Sequence, residues 1–349
     1  INSSANYNGG AIDWHKSAEK GTIINSVFTN NVAGRSGGAV YWFGHDGKIK
    51  DSKFNGNRAL GINNATDSYG NYTAGGDGGA VIWIGADGIV DNCTFIDNTA
   101  AVRGGAVFLE GSVDFNCTNT TFSNSKFISN HAGTNGGGVD WHEGSHDGNL
   151  LNCIFENNVA NANGGGVYWR GHNGEITNTN FTNNTAKGIN KGRYGNNGDG
   201  GAIFWAGLNG TVVNSRFINN KAIFNGSVDF NSGRGGAVFL TPCNHGCNNT
   251  TFIDCLFENN SAGSNGGAID WHMSAKDGSI INSVFNNNMA NRSGGAVYWY
   301  GQEGIIKNSN FTGNKALGIT NATDSYGNNT KGGDGGAVIW IGADGIVDN

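Results

Sequence analysis

The tetrapeptide Gly-Gly-(Ala/Gly)-(Val/Ile) occurs eleven times in this chain of 349 residues, starting at Gly9, Gly37, Gly78, Gly104, Gly136, Gly164, Gly200, Gly235, Gly266, Gly294 and Gly335. Successive copies lie 26 to 41 residues apart. Between them stands Phe-x-x-Asn, ten times from Phe28 to Phe311, with alanine always five positions after the phenylalanine, from Ala33 to Ala316. A short unit repeated at this period cannot bury a core alone and must stack on its neighbours, which makes the chain a solenoid. Asp-Gly and Asn-Gly pairs between the motifs (Asp46-Gly47, Asp87-Gly88, Asn173-Gly174, Asn209-Gly210) mark tight turns.

Composition decides what kind of solenoid. There are 61 glycines and 56 asparagines but one proline, Pro242, which excludes collagen. Both abundant residues are poor helix formers, and charged residues make up only 14%, so a helical repeat is excluded too. With 37% hydrophobic residues and nine tryptophans the chain is not simply disordered. The expectation is an all-β chain with about three short strands and three turns per coil. About eleven coils at roughly 4.8 Å each give a rod on the order of 50 Å long.

Strand periodicity assigns the faces. Three positions after each first glycine stands Val or Ile, from Ile12 to Val338; five after it stands Trp nine times and Leu twice, Leu109 and Leu240. These columns share one parity and are expected inside. The phenylalanine column, with a small residue two positions earlier, forms a second inward pair; Cys93, Cys153 and Cys255 replace serine or threonine there and are expected to be buried free thiols. The asparagine column suits a ladder of side-chain amides along the axis.

A longer period overlies the first. Gly-Gly-Ala-Ile-Asp-Trp-His at Gly9 has near-copies at Gly136 and Gly266, so coils run in blocks of four that start 127 and 130 residues apart. Residues 60–92 and 317–349 differ at only three positions. The reading is a single continuous β-solenoid over 1–349 with super-repeats 9–135, 136–265 and an incomplete 266–349. No atypical coil closes either end, so the chain is expected to be a window from a longer array.

The alternation of Gly-Gly-Ala-Ile with Phe-x-x-Asn over essentially the whole chain resembles the repeats of chlamydial polymorphic outer-membrane proteins. It is also similar to adhesin-like surface proteins of methanogenic archaea. The resemblance implies a right-handed parallel β-helix on a secreted or surface-anchored protein.

Candidate sites follow from the outward parity. The row beside the tryptophans carries Tyr41, Phe43, Phe108, Tyr168, Arg170, Phe204, Phe239, Tyr298 and Tyr300. This aromatic stripe is expected to be exposed and to bind sugar rings, proteins or a neighbouring rod. Asp13-Trp14-His15, Asp140-Trp141-His142 and Asp270-Trp271-His272 place acid and imidazole on one strand face. The copies lie four coils apart, about 19 Å, and cannot form one centre. With no clustered acids or nucleophile beside them, the expectation is a protein that is not an enzyme; a polysaccharide lyase or glycosidase is the alternative that this type of fold permits. Asp67, Asp77, Asp324 and Asp334 are weak calcium candidates, with Asp199 in the middle block, where Arg193 stands in place of an equivalent of Asp67. No other cofactor is expected. Cys243 and Cys247 frame a loop that a disulfide would pin, and Asn64, Asn71 and Asn321 are glycosylation candidates.

A net charge of −6 argues against a nucleic-acid partner. No apolar run reaches the roughly 18 residues of a membrane span, so membrane contact is expected only through an anchor outside this sequence. The functional expectation is an extracellular, cell-surface, adhesin-like stalk or fibre that contacts glycans or proteins of another cell and associates laterally or end to end. A purely structural filament is the other alternative.

Overall fold

The computed structural model describes residues 1–15, 19–62, 65–66, 72–73, 75–111, 117–189, 198–223, 232–241, 247–273, 275–319, 322–323, 329–330 and 332–348. Each coil contributes four short strands. In a middle coil these are Val159–Ala160, Val167–Trp169, Glu175–Thr177 and Asn180–Thr182. We call the corresponding sheets the alanine, tryptophan, aliphatic and phenylalanine sheets. Three have eleven strands and the phenylalanine sheet has ten, and every pairing within them is parallel and in register. The chain is a parallel β-helix. Four sheets replace the three expected, because the two residues after each ladder asparagine pair with the next coil on their own.

The tryptophan column faces inward as parity requires, with Trp42, Trp83, Trp141, Trp169, Trp205, Trp271 and Trp299 all fully buried. Consecutive indoles stack, with ring centroids 4.3 Å apart for Trp141–Trp169 and 5.0 Å for Trp169–Trp205. The phenylalanines stack in the same way across the lumen, for example 4.9 Å for Phe155–Phe181. Leucine interrupts the indole column at Leu109 and Leu240. In those same coils the aliphatic sheet offers Phe122 and Phe252 instead of Ile, Leu or Val, and each packs edge-on against the next tryptophan, Trp141 or Trp271. Volume lost on one wall is thus restored from the other, as close packing demands.

Asparagine does two jobs. One column is the buried ladder. Asn158 accepts from the backbone N–H and the Nδ2 of Asn130, both at 3.0 Å. Its own Nδ2 donates to the Phe127 carbonyl at 2.8 Å and to Asn184 Oδ1 at 3.0 Å. The pattern repeats from Asn31 to Asn314, so the amides of the ladder satisfy one another and the backbone without water. The other asparagines and aspartates sit at coil corners with left-handed backbone, as Asn152 (φ 55°), Asn157 (φ 55°) and Asn173 (φ 55°) do. Short polar side chains tolerate that region better than others, which explains much of the asparagine excess.

The double glycine is set by two different constraints. Gly164 has φ 66°, a conformation that disfavours any side chain. Gly165 lies so close to the next coil that a Cβ would overlap the Gly201 carbonyl oxygen and the Thr185 backbone.

Cys93, Cys153 and Cys255 are buried free thiols, as the serine-row reading expects. Burial pushes the Cys153 thiol up to about 12, so it carries no thiolate at neutral pH. Cys153→Ser is expected to change stability by less than about 1 kcal/mol in urea unfolding, because serine occupies the same row elsewhere. The Cys153 thiol of the native rod is expected to resist alkylation.

Candidate functional site

The largest insertions leave the helix at one corner, between the alanine strand and the double glycine. Phe28 and Gly37 are nine residues apart, but Phe54 and Gly78 are 24, Phe181 and Gly200 are 19, and Phe311 and Gly335 are 24. The two corners with the separation of 24 each carry a small antiparallel ladder, Ala65–Thr66 with Tyr72–Thr73 and Ala322–Thr323 with Asn329–Thr330. This corner borders the outer face of the tryptophan sheet, where the aromatic stripe lies.

The stripe is outward but not exposed. Phe108, Tyr168, Arg170, Phe204 and Phe239 are at most 4% accessible. Tyr41, Phe43 and Tyr298 are half-buried, and Tyr300 is exposed. The expectation of an exposed stripe is therefore corrected for most of its length. Tyr168, Phe204, Ala206 and Phe239 form one outer cluster. Ile82, Ile84 and Phe108, with Tyr41 and Phe43, form another. An ion pair closes over each: the Arg103 guanidinium lies 4.3 Å above the Phe108 ring, and Arg234 lies 4.1 Å above Phe239.

Those arginines are held by aspartates of the preceding coil. Arg103 donates to both Asp77 carboxylate oxygens at 2.9 and 2.8 Å, and Arg234 binds Asp199 in the same way at 3.3 and 2.7 Å. The calcium reading of Asp77 is corrected accordingly, since its oxygens are committed to Arg103, and Asp199 is likewise committed to Arg234. Asp334 is exposed in the last coil. Among the described residues no three His, Cys, Asp or Glu side chains group to hold a metal. Arg103 and Arg234 escape a reading of the sequence by motif. The signal that finds them is opposite charge at the same register, immediately before Gly-Gly, in adjacent coils.

Asp67, Asp324, Arg193, Cys243, Asn64, Asn71 and Asn321 lie outside the described residues. Cys247 is buried, its Sγ 3.6 Å from the Trp205 carbonyl oxygen.

Two of the three Asp-Trp-His triplets sit within the covered layer, while Asp13 and His15 in the first coil are exposed. Asp140 pairs in register with Phe108 on one side and Tyr168 on the other, and is wholly buried. Neither of its carboxylate oxygens has a hydrogen-bond partner, and the same holds for Trp141 Nε1 and His142 Nδ1. Asp270 Oδ2, Trp271 Nε1 and His272 Nδ1 repeat this one block later. Burial pushes Asp140 up to about 8 and Asp270 up to about 7, and holds His142 and His272 down to about 4. At neutral pH both histidines are uncharged.

The accessible relief lies elsewhere. On the outer face of the aliphatic sheet a half-open hollow of about 260 Å³ is lined by Thr121, Asn149, Leu150, Leu151, Glu175 and Thr177. Ladders of exposed corner amides run beside it, Asn152 to Asn124 at 3.2 Å and Asn178 to Asn152 at 3.1 Å on one edge, Asn173 to Asp147 at 2.9 Å on the other.

Five segments of the chain, 25–41, 92–110, 152–168, 254–270 and 282–298, match the Chlamydia polymorphic membrane protein repeat. Five of the eleven Gly-Gly motifs lie within these matches. Each match runs from the corner before the phenylalanine strand through the ladder asparagine and the double glycine into the tryptophan strand, and leaves out the aliphatic strand of the coil. No curated protein sequence matches the chain as a whole. Among solved structures, the tailspike protein of E. coli bacteriophage HK620, in complex with a pentasaccharide, is 13% identical with a TM-score of 0.48. A point mutant of that tailspike, also with the pentasaccharide, gives 13% and 0.47. Each match covers 89% of this chain and 57% of the tailspike chain, so this chain spans little more than half the tailspike's length.

Proposed function

We propose that this chain is the rod of a cell-surface, adhesin-like protein, extracellular and without catalytic activity, which holds contact surfaces at a fixed distance from its anchor. The observation that supports this reading is the unbroken register of four parallel sheets, together with the polymorphic membrane protein repeat matched in five segments. Continuous phenyl and amide columns, with indoles stacked between the two leucine coils and beyond them, leave no hinge among the described coils, which suits a stalk. The Asp-Trp-His triplets that most resemble catalytic groups have a buried acid in two of three copies, and the Asp140 carboxyl makes no bond to its imidazole.

With most of the aromatic stripe covered, the aliphatic face is the better contact surface. Thr121, Asn149, Glu175 and Thr177 offer donors and acceptors around Leu151, a mixture suited to a hydroxyl-rich glycan. The purified chain is expected to bind a subset of a glycan array and intact cells. Glu175→Gln combined with Asn149→Ala is expected to weaken that binding about tenfold, equivalent to one or two lost hydrogen bonds. If the chain binds neither glycans nor cells, the adhesin reading fails and a purely structural filament replaces it. If it binds but the double variant binds equally well, the contact surface is wrong.

A further inference from the structure

The layer over the tryptophan sheet contains carboxyl groups that no stalk needs. Asp140 and Asp270 occupy equivalent places in consecutive blocks, each between a phenylalanine of the preceding coil and a tyrosine of the next. Burying a charged carboxylate is tolerable only with a partner. Three nearby cations are each paired with another carboxylate, Arg103 with Asp77, Arg170 with Glu143 and Arg234 with Asp199, and Arg292 also acts on Asp270. Yet both oxygens of Asp140 and Oδ2 of Asp270 are left without a bond.

We propose that Asp140 and Asp270 are proton-held latches: protonated, they keep the outer layer closed over Phe108, Tyr168 and Phe239, and on losing the proton they open it and present that aromatic stripe. The groups that act on Asp140 are the Asp77–Arg103 ion pair, a strap over the preceding coil, and Arg170 from the next coil with its partner Glu143; His142 follows its strand two residues on. For Asp270 they are the equivalent Asp199–Arg234 strap and Arg292 and Tyr298 from the following coil; His272 follows two residues on.

The sign follows from proton counting. Opening returns Asp140 from about 8 to its ordinary value of 3.8, and His142 from about 4 to its ordinary 6.5. Between about pH 4 and 6.5 opening removes a proton from the acid and adds one to the imidazole, so the equilibrium is flat. Between 6.5 and about 8 opening only releases a proton, and the open fraction rises tenfold per pH unit, about 30-fold in all. For Asp270, with a value of about 7, the rise is about threefold. The histidines thus act as buffers that keep the latch insensitive below neutrality.

Hydroxyl-radical labelling of Tyr168, Phe108 and Phe239 in the intact chain, read from about pH 5 to about pH 9, tests this. Labelling is expected to stay flat at first and then rise on the order of tenfold through mildly alkaline pH, while the fluorescence of the tryptophan column is unchanged. In Asp140→Asn/Asp270→Asn the alkaline rise is expected to vanish. In His142→Gln the rise at Tyr168 is expected to begin at lower pH. Infrared spectra of the unaltered chain at neutral pH are expected to show a protonated carboxyl band. Absence of that band, flat labelling, labelling that rises only as the tryptophans unstack, or an equal rise in the asparagine variant would overturn the proposal. The infrared measurement decides even if a variant does not fold.

Discussion

Asn158→Asp is expected to cut the rod at mid-length. The wild-type amide accepts two hydrogen bonds from Asn130 and donates one each to Phe127 and Asn184. An aspartate keeps the two it accepts and loses both it donates. Its second oxygen then faces the Phe127 carbonyl and Asn184 Oδ1, acceptor against acceptor, with no exposure to water. An unsatisfied buried group costs about 1–3 kcal/mol, and here three acceptors converge, so a loss of about 4–6 kcal/mol is expected. Asn158→Leu removes all four bonds without adding charge and is expected to cost slightly less. Because stability in a solenoid propagates between neighbours, native-state hydrogen exchange should show lost protection centred on the coils of Asn130, Asn158 and Asn184. A uniform small loss along the whole chain would contradict the ladder's local role.

Gly165→Ala is expected to have an effect of similar size from one methyl group. The added Cβ meets backbone on both sides, the Gly201 carbonyl and Thr185, so no rotamer change relieves it. The coil must separate from its neighbour, which breaks the Gly165 N–H bond to the Gly200 carbonyl (3.1 Å) and disturbs the Asn184 rung. Overpacking of this kind costs about 3 kcal/mol or more. The control is Gly138→Ala, at the third position of the motif, where alanine is the usual residue; its Cβ meets the Gly166 carbonyl oxygen at 2.9 Å and the Phe155 ring at 3.0 Å, so a clearly smaller loss is expected. Thermal melts of the two variants should differ clearly, and equal melts would show that the double glycine is not set by coil spacing.

The inner wall of this protein is legible in its sequence because each inner column is nearly one residue type. Tryptophan, phenylalanine, ladder asparagine and the small serine row each face where strand parity places them. Corner residues are harder to read. Asn152 and Asn157 look like further polar bias until their left-handed backbone is seen. The alanine strand escapes notice because two residues, such as Val159–Ala160, are too short for any alternation to register. The outer face of the tryptophan sheet misleads for another reason. Parity says which side of a sheet a residue occupies, but not whether another segment lies on top. The cover depends on Arg103 meeting Asp77 across 26 residues, and such a pairing is visible only once coils are aligned in register. Calcium looks plausible at Asp77 on the same ground, since an acid read alone always looks available.

The ladder also bears on how such a chain changes length in evolution. Every rung offers its neighbour the same donor and acceptor, so a coil added or removed leaves each asparagine matched to an identical partner. The straps are stricter. Asp77 must be followed by Arg103, and Asp199 by Arg234, so a duplication that separates them buries an unmatched charge. Recombination between near-identical stretches such as 60–92 and 317–349 adds or deletes whole blocks and keeps every strap intact. Gene length and molecular reach are therefore coupled in whole four-coil blocks, two blocks and about 38 Å for this pair.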